Sequence, residues 1–249
     1  MKVKKILVSQ PQPENEKSPY FDLASKYSMQ IDFQPFIKVQ GLTASEFRKQ
    51  KIYLQDYTAI IFTSKNAVDH FFRLCTELRY TVPETLKYFC ITEAIALYTQ
   101  KYIVYRKRKI FYGNRDFAEL VDLIKKHSDE KFLFPASDVC KEEQHRMLEA
   151  SKINYSKSVF YKTVHNEMNK LGDLDYDMIV FFSPEGIKSL FKNFPDFKQG
   201  DIQIGAFGNA TAQAITSAGL RLDLQAPLPE APSMTMALDM YLARIGNGK

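Results

Sequence analysis

One stretch of the sequence occurs twice in similar form. Residues 60–72 read IIFTSKNAVDHFF and residues 179–191 read IVFFSPEGIKSLF, with the same Ile, Phe, Ser and final Phe at matched positions. Each copy begins with an apolar run typical of a buried strand, passes through a serine, and continues with apolar residues at helical spacing. A repeated strand–turn–helix unit predicts a chain built from two similar α/β domains.

A second, weaker sequence similarity relates the start of the chain to its middle. In both places a strand and a loop precede a helix that ends in Ala-Ser-Lys, and an alternating strand follows. Strands that alternate with short helices predict parallel sheets covered on both faces, so we expect two similar doubly wound, flavodoxin-like domains. The repeats are A (1–39), B (52–124), A′ (131–164) and B′ (174–245). The sequence leaves open which repeats form a domain together. Either A joins B and A′ joins B′, or A joins B′ and B joins A′, with two linker strands between the two domains.

Composition narrows the class of protein. The 249 residues carry a formal net charge of +5 and 45% hydrophobic residues, which indicates ordinary globular domains with a weak preference for anionic partners. Cys75, Cys90 and Cys140 lack CxxC spacing, which argues against a zinc site or a disulfide framework. No apolar run approaches the ~20 residues of a membrane span, and the N-terminus lacks a signal-peptide pattern. We expect a reduced, cytoplasmic protein that binds no membrane.

Motifs for metals, cofactors and nucleic acids are missing from the sequence. There is no GxGxxG and no Walker loop. The basic run YRKRK at 105–109 lacks a wider aromatic platform, which favours a solvated edge over a nucleic-acid site. The histidines have no metal-ligand spacing, so satisfied or surface roles are expected for His70, His127, His145 and His165. We expect no metal, no cofactor and no nucleic acid.

Four turns each follow a predicted strand and open a predicted helix. They are Thr63–Asn66, Tyr112–Asp116, Ser183–Gly186 and Phe207–Gln213. In open parallel sheets ligands bind beyond the carboxyl ends of the strands, where the unpaired N–H groups and positive dipole end of a helix attract carboxylates and phosphates. Several such turns would make a receptor for a polycarboxylate. The plain alternative is that Ser64, Ser183 and Thr211 only cap helices.

Five stretches, taken in order, form a recognisable pattern. They read IIFTSKNAVDHFF, VFYKTV, IVFFSPEGIKSLF, GAFGNATAQAITSAGL and APLPEAPSMTMAL. Together they resemble the uroporphyrinogen-III synthase family over nearly the whole chain. The resemblance implies a discontinuous domain one (1–35 and 168–249), an inserted domain two (40–160), linker strands at about 33–39 and 158–165, and an active site in the cleft between the domains.

The resemblance also implies a reaction. Family members are cyclising hydro-lyases of haem biosynthesis that convert the linear tetrapyrrole hydroxymethylbilane to uroporphyrinogen III. The substrate loses its hydroxyl, ring D is inverted through a proposed spirocyclic intermediate, and the macrocycle closes. Because the pyrrole nitrogen pushes out the hydroxyl, the enzyme mainly folds the substrate and excludes water. Members use no metal or cofactor and are usually monomeric.

The matching motifs carry site residues over to this chain. Tyr161 in FYKT matches the family tyrosine that assists departure of the hydroxyl, as an acid or as a positioner; the plain alternative is an outward residue on a linker strand. Glu185, Asn209 and Ala210 depart from the family pattern. The expected substrate-binding set is Thr63, Ser64, Lys65, Asn114, Ser183, Gly186, Gly208, Asn209 and Thr211.

A second hypothesis comes from another functional class. A non-catalytic two-domain protein that binds an anionic small molecule would use the same turns, and the departures from the family motifs favour it. Replacing Tyr161 by Phe separates the two hypotheses. The change should slow a synthase severely and barely alter the affinity of a binding protein.

Overall fold

The structure is a computed structural model that describes residues 3–15, 17–114, 116–139, 142–168 and 174–246. The chain divides into two compact units, of which the first runs up to Lys38 and resumes at Val164, while the second is Val39–Thr163. The strands are β1 (Lys5–Val8), β2 (Gln30–Phe33), β3 (Ile37–Gly41), β4 (Ala59–Phe62), β5 (Lys87–Cys90), β6 (Ile110–Tyr112), β7 (Phe132–Ser137), β8 (Tyr155–His165), β9 (Met178–Phe181), β10 (Gln203–Phe207) and β11 (Leu224–Ala226). The helices are α1 (Pro19–Tyr27), α2 (Ala44–Arg48), α3 (Lys65–Glu77), α4 (Glu93–Tyr98), α5 (Phe117–Lys125), α6 (Glu142–Ala150), α7 (Pro184–Asn193), α8 (Asn209–Ser217) and α9 (Met234–Gly246).

The first unit is built on one parallel sheet with strands in the order β2-β1-β9-β10-β11. In chain order this is 2-1-3-4-5, the flavodoxin-like order. Successive side chains of a strand point to opposite faces, so Ile6 and Val180 enter one apolar cluster while Leu7 and Ile179 enter another. Both faces of the sheet are therefore covered, as the doubly wound class requires.

The second unit has its strands in the order β3-β8-β7-β4-β5-β6, with parallel pairing from β8 to β6. Counted in chain order from β4, the five parallel strands lie in the order 3-2-1-4-5. The flavodoxin-like order expected for both domains is therefore found only in the first unit. The two orders are related by circular permutation. If the strands of the first unit are numbered 1 to 5 starting at β9 and ending with β1 and β2, their order in the sheet is also 3-2-1-4-5.

The repeated sequence folds into a repeated structure. Ser64 (φ −157°, ψ 160°) precedes α3, and Ser183 (φ −157°, ψ 153°) precedes α7. Each serine oxygen accepts a hydrogen bond from a backbone N–H three residues on, Ala67 N at 3.1 Å and Gly186 N at 3.3 Å. The predicted duplication of a strand–turn–helix unit is confirmed.

Two predicted elements differ in the structure. The alternating sequence QIDFQPFIKV at 30–39 predicts one extended strand, but the structure interrupts it between Phe33 and Ile37, because Pro35 has no N–H to continue a ladder. The sequence over 42–53 predicts a helix with a capping box between Thr43 and Glu46, but the observed helix is only α2. Its capping box between Thr43 and Glu46 forms as expected, but Lys51 adopts a left-handed φ of 55°, a conformation that ends helices.

Candidate functional site

Each sheet contains one place with the geometry of a ligand site. At that place, the connections that leave two adjacent strands run towards opposite edges of the sheet. This opens a crevice beyond the carboxyl ends of the two strands. The place lies between β1 and β9 in the first unit and between β4 and β7 in the second. Ser183 follows β9 and Ser64 follows β4, so the repeated serine stands at both positions.

Tyr161 on β8 contacts the second of these serines. Its hydroxyl oxygen lies 3.1 Å from Ser64 Oγ, and only 8% of its surface is exposed. The pairing of β7 with β8 shifts register between Ala136 and Ser137, immediately before Ser137 pairs with Tyr161. Such irregularities re-aim side chains. The alternative of an outward-facing linker residue is therefore wrong, and two residues predicted from separate motifs lie together.

The first turn of α3 is suited to an anion. It contains no acidic residue, and the exposed Lys65 adds a positive charge to the positive end of the helix. The Lys65 ammonium lies 5.2 Å from the centre of the Tyr98 ring, an arrangement that restrains the flexible side chain. Thr63 is half-buried at the end of β4. Because Ser64 contacts Tyr161, its sequence neighbours Thr63 and Lys65 lie close to that residue.

The first turn of α7 combines a capped helix end with a neutralised acid. Pro184 occupies the first helical position, where its missing N–H costs no hydrogen bond, and Ser183 caps the helix. Gly186 fits closely, since a Cβ there would lie 3.2 Å from Phe181 Cδ1. Glu185 forms an ion pair with Lys188 at 2.6 Å. The repulsion that Glu185 would exert on a carboxylate is therefore partly offset within the helix.

The start of α8 has no side-chain cap. Its N-cap residue is Gly208, which adopts a positive φ of 89° that favours glycine, so the alternative in which Thr211 caps this helix is wrong. Thr211 is 3% exposed, whereas Asn209 and Ala210 are exposed. Asn209 Oδ1 accepts a hydrogen bond from Gln225 Nε2 at 2.9 Å. With no acid in its first turn, α8 presents backbone N–H groups to an anion.

The corresponding ends in the second unit carry negative charge. The N–H of Asn114 donates to Glu119 Oε2 at 2.8 Å, and Asp116 caps α5. Glu93 stands in the first turn of α4, behind a Thr92 cap. The turn at Asn114 therefore already holds a carboxylate of the protein itself, unlike those at Lys65 and Asn209.

His70 is a neighbour of Tyr161 that the sequence left unassigned. The two rings stack with centroids 5.1 Å apart and planes 24° apart. Its signal in the sequence is spacing, since Ala67 and His70 follow Ser64 at intervals of three and lie on one side of α3. A pattern search for metal ligands passes over such a residue.

The remaining polar groups form no second centre in the part of the chain that is described. Burial raises the pKa of the Cys75 and Cys90 thiols to about 12, so both stay protonated, and Cys140 lies outside the described residues. The described residues contain no cluster of three potential metal ligands. None of the helices described is long and apolar enough to cross a membrane.

Two solved structures of known proteins are similar to this chain in fold. The crystal structure of uroporphyrinogen-III synthetase from Helicobacter pylori is 16% identical, with a TM-score of 0.63, over 97% of this chain and 99% of that one. A mutant uroporphyrinogen III synthase from Thermus thermophilus is 13% identical, with a TM-score of 0.56, over 97% and 99%. These likenesses establish the two-domain fold. No curated protein sequence matches significantly.

The family model described as "Uroporphyrinogen-III synthase HemD" matches residues 19–236. The match includes Ser64, Tyr161, Ser183 and the turn at Gly208. It therefore extends over most of both structural units. The chain belongs to the uroporphyrinogen-III synthase family.

Proposed function

We propose that this chain closes hydroxymethylbilane to uroporphyrinogen III, with loss of water and inversion of ring D, in haem biosynthesis. Family membership supports the reaction class, a cyclising hydro-lyase. The observation that carries the proposal is the 3.1 Å contact between Tyr161 and Ser64. It holds a phenol at the positive end of a helix, where a proton donor for a leaving hydroxyl is useful.

In this proposal Tyr161 supplies the proton that turns the leaving hydroxide into water. The pyrrole nitrogen provides the electrons as the C–O bond breaks. Ser64 Oγ accepts from Ala67 N–H. In this proposal the serine O–H donates to the Tyr161 oxygen, which leaves the phenol proton for the substrate. The developing charge on the phenol oxygen then faces the serine O–H and the start of α3. The proton released when the macrocycle closes restores Tyr161.

The carboxylates of the substrate bind, in our proposal, at uncharged or positive helix ends. Lys65 and the backbone beside Thr63 and Ser64 serve in the second unit. The exposed N–H groups after Gly208 serve in the first unit, with Asn209 among them. Thr211 is buried and supports this turn from within. Charge-assisted hydrogen bonds of this kind are stronger than neutral ones.

The other two predicted turns have smaller roles in the proposal. Ser183 and Gly186 place the α7 N-terminus, and the Lys188 partner of Glu185 limits its repulsion of a carboxylate. Asn114 contributes least, because Glu119 occupies its N–H and Asp116 adds a further negative charge beside it.

The deciding experiment mixes the purified protein with freshly generated hydroxymethylbilane and separates the oxidised products by chromatography. Isomer III above the spontaneous isomer I background supports the proposal. Isomer I alone, from a protein that binds the bilane and is folded by circular dichroism, overturns it in favour of the non-catalytic anion-binding protein.

We also propose that the chain works as a cytoplasmic monomer, as is usual in the family. Light scattering during size-exclusion chromatography should give a mass near 28.8 kDa. A mass of twice this value at micromolar concentration would contradict the proposal.

A further inference from the structure

We propose that His70 is a positioning residue for Tyr161. The imidazole ring lies against the face of the phenol ring and keeps the hydroxyl directed at Ser64. This inference rests on the proposed catalytic role of Tyr161. It assigns a task in the reaction to a histidine that touches no reacting atom.

The two contacts restrain Tyr161 in different ways. Ser64 meets the hydroxyl at the tip of the side chain, while His70 stacks on the ring, with centroids 5.1 Å apart. A hydrogen bond at the tip alone leaves the ring free to tilt about its axis. A stacked ring removes that freedom, and stacked pairs at this distance are attractive. Both restraints come from α3, so one rigid helix fixes the phenol.

His70 is itself held by a second network. Arg73 Nε donates to His70 Nδ1 at 3.3 Å, and Arg73 Nη2 donates to the Leu42 carbonyl at 2.7 Å. Glu77 forms an ion pair with the same guanidinium. An Nδ1 that accepts a hydrogen bond belongs to a neutral ring. Burial, followed by the charge of Arg73, lowers the pKa of His70 against the opposing effect of Asp69, which favours that neutral form.

The chain leaves room for this network at Gly41. A Cβ on Gly41 would lie 2.5 Å from Arg73 Nη2 and 2.7 Å from His70 Nδ1. Because real side chains do not approach so closely, any larger residue at the end of β3 would displace Arg73, His70 or both. Glycine therefore has a packing reason here, although its φ is not in the left-handed region.

The repeat offers an internal comparison. The residue six positions after Ser183 is Ser189, just as His70 follows Ser64 by six. Ser189 is fully buried and its hydroxyl donates to the Phe36 carbonyl. The segment that follows β2 carries Phe36 and Ile37 and has no phenol. The fold therefore does not need an imidazole at this helix position, and the stacked pair occurs where Tyr161 is present.

The test compares two substitutions at one position. We expect His70→Leu to lower kcat about tenfold with KM within about twofold, because a small displacement of a catalytic group costs rate. His70→Phe keeps a stacking ring and should retain kcat within about twofold. The control is His127→Leu, since His127 also packs against an aromatic ring, Phe111, with centroids 4.5 Å apart and planes tilted by 50°. That control should leave kcat unchanged.

A double-mutant cycle then shows whether His70 acts through the phenol. In a Tyr161→Phe background, His70→Leu should cost no further activity, because the hydroxyl it positions is gone. An additive tenfold loss there, or equal loss in His70→Phe and His70→Leu, overturns the inference while leaving the synthase function intact. If Tyr161→Phe alone keeps full kcat, the catalytic role of Tyr161 fails first. Gly41→Ala provides a second variant and should reproduce the loss of His70→Leu.

Discussion

The hydroxyl of Tyr161 and the Oγ of Ser64 lie 3.1 Å apart, joining strand β8 to the start of helix α3. Ser64 therefore has two tasks, since it also caps the helix through Ala67 N. Its repeat counterpart Ser183 makes the same cap. The duplication thus supplies two nearly identical turns, and the one in the second unit contacts Tyr161 through Ser64.

Tyr161→Phe should separate chemistry from folding. We expect kcat to fall at least about 100-fold, the lower range for loss of a general acid. The substituted ring can still stack on His70, so the thermal midpoint should shift by only a few degrees. Product chromatography and thermal unfolding measure the two effects. Tyr155→Phe is the control, because Tyr155 lies on the same strand and its hydroxyl is 3.4 Å from His145 Nδ1; it should retain kcat.

Ser64→Ala and Ser183→Ala form a matched pair. Each removes one N-cap hydrogen bond of the same geometry, and each should reduce the free energy of unfolding by ~1 kcal/mol. Ser64→Ala also removes a hydrogen-bond partner of the Tyr161 hydroxyl, so kcat should fall about tenfold further in that variant than in Ser183→Ala. Urea unfolding and steady-state kinetics are the measurements. Equal kcat values in the two variants would contradict the role of the Tyr161–Ser64 contact.

Asn209→Asp tests the anion site at α8. The substitution keeps the shape of the side chain but adds a negative charge beside the backbone N–H groups that we propose to bind a substrate carboxylate. Because like charges repel, KM should rise about fivefold to tenfold. Stability should not fall, since acids favour helix N-termini. Gln213→Glu adds the same charge one turn further along α8 and serves as the control. A similar rise of KM in both variants would indicate a general charge effect, not a local site.

The strand–helix alternation was predictable because it depends on local patterns. Apolar runs such as residues 59–62 and the serine caps after them are readable from neighbours in sequence. The strand order of the second sheet was not readable, because parallel pairing joins distant segments without a local code. The shortened α2 has a similar cause, since the left-handed conformation of Lys51 overrides helical spacing.

The candidate site, like the fold, was predictable only where local sequence patterns determine it. Motifs brought out Ser64 and Tyr161 separately, but their contact bridges 97 residues of sequence. His70 was passed over although it follows Ser64 at helical spacing, because its role depends on the Tyr161 ring, which lies on the distant strand β8. The burial of Thr211 was hidden for the same reason, since helical spacing alone does not say which face packs inward.

The capping box of α2 should make stability depend on acid in a defined way. The backbone N–H of Thr43, and then Lys162, lower the pKa of Glu46 from 4.5 to about 2 in the folded chain. A carboxyl whose pKa is depressed by folding stabilises above its unfolded pKa and loses that effect as pH falls towards the folded value. The stability difference between the native chain and Glu46→Gln should therefore be full at pH 6 and shrink between about pH 4.5 and 2.

Urea midpoints at pH 6 and pH 3 measure this difference. Because 41% of the Glu46 side-chain surface is exposed, the ion-pair part of the effect should also weaken in high salt. Glu143→Gln, which removes the same charge from an exposed position of α6, is the control for the loss of one carboxylate. A constant gap between the native chain and Glu46→Gln across this range would mean that the capping box does not bind Glu46 as a carboxylate. Since Lys162 follows Tyr161 on β8 and pairs with Glu46 at 3.0 Å, loss of the box should loosen that strand beside the proposed catalytic residue.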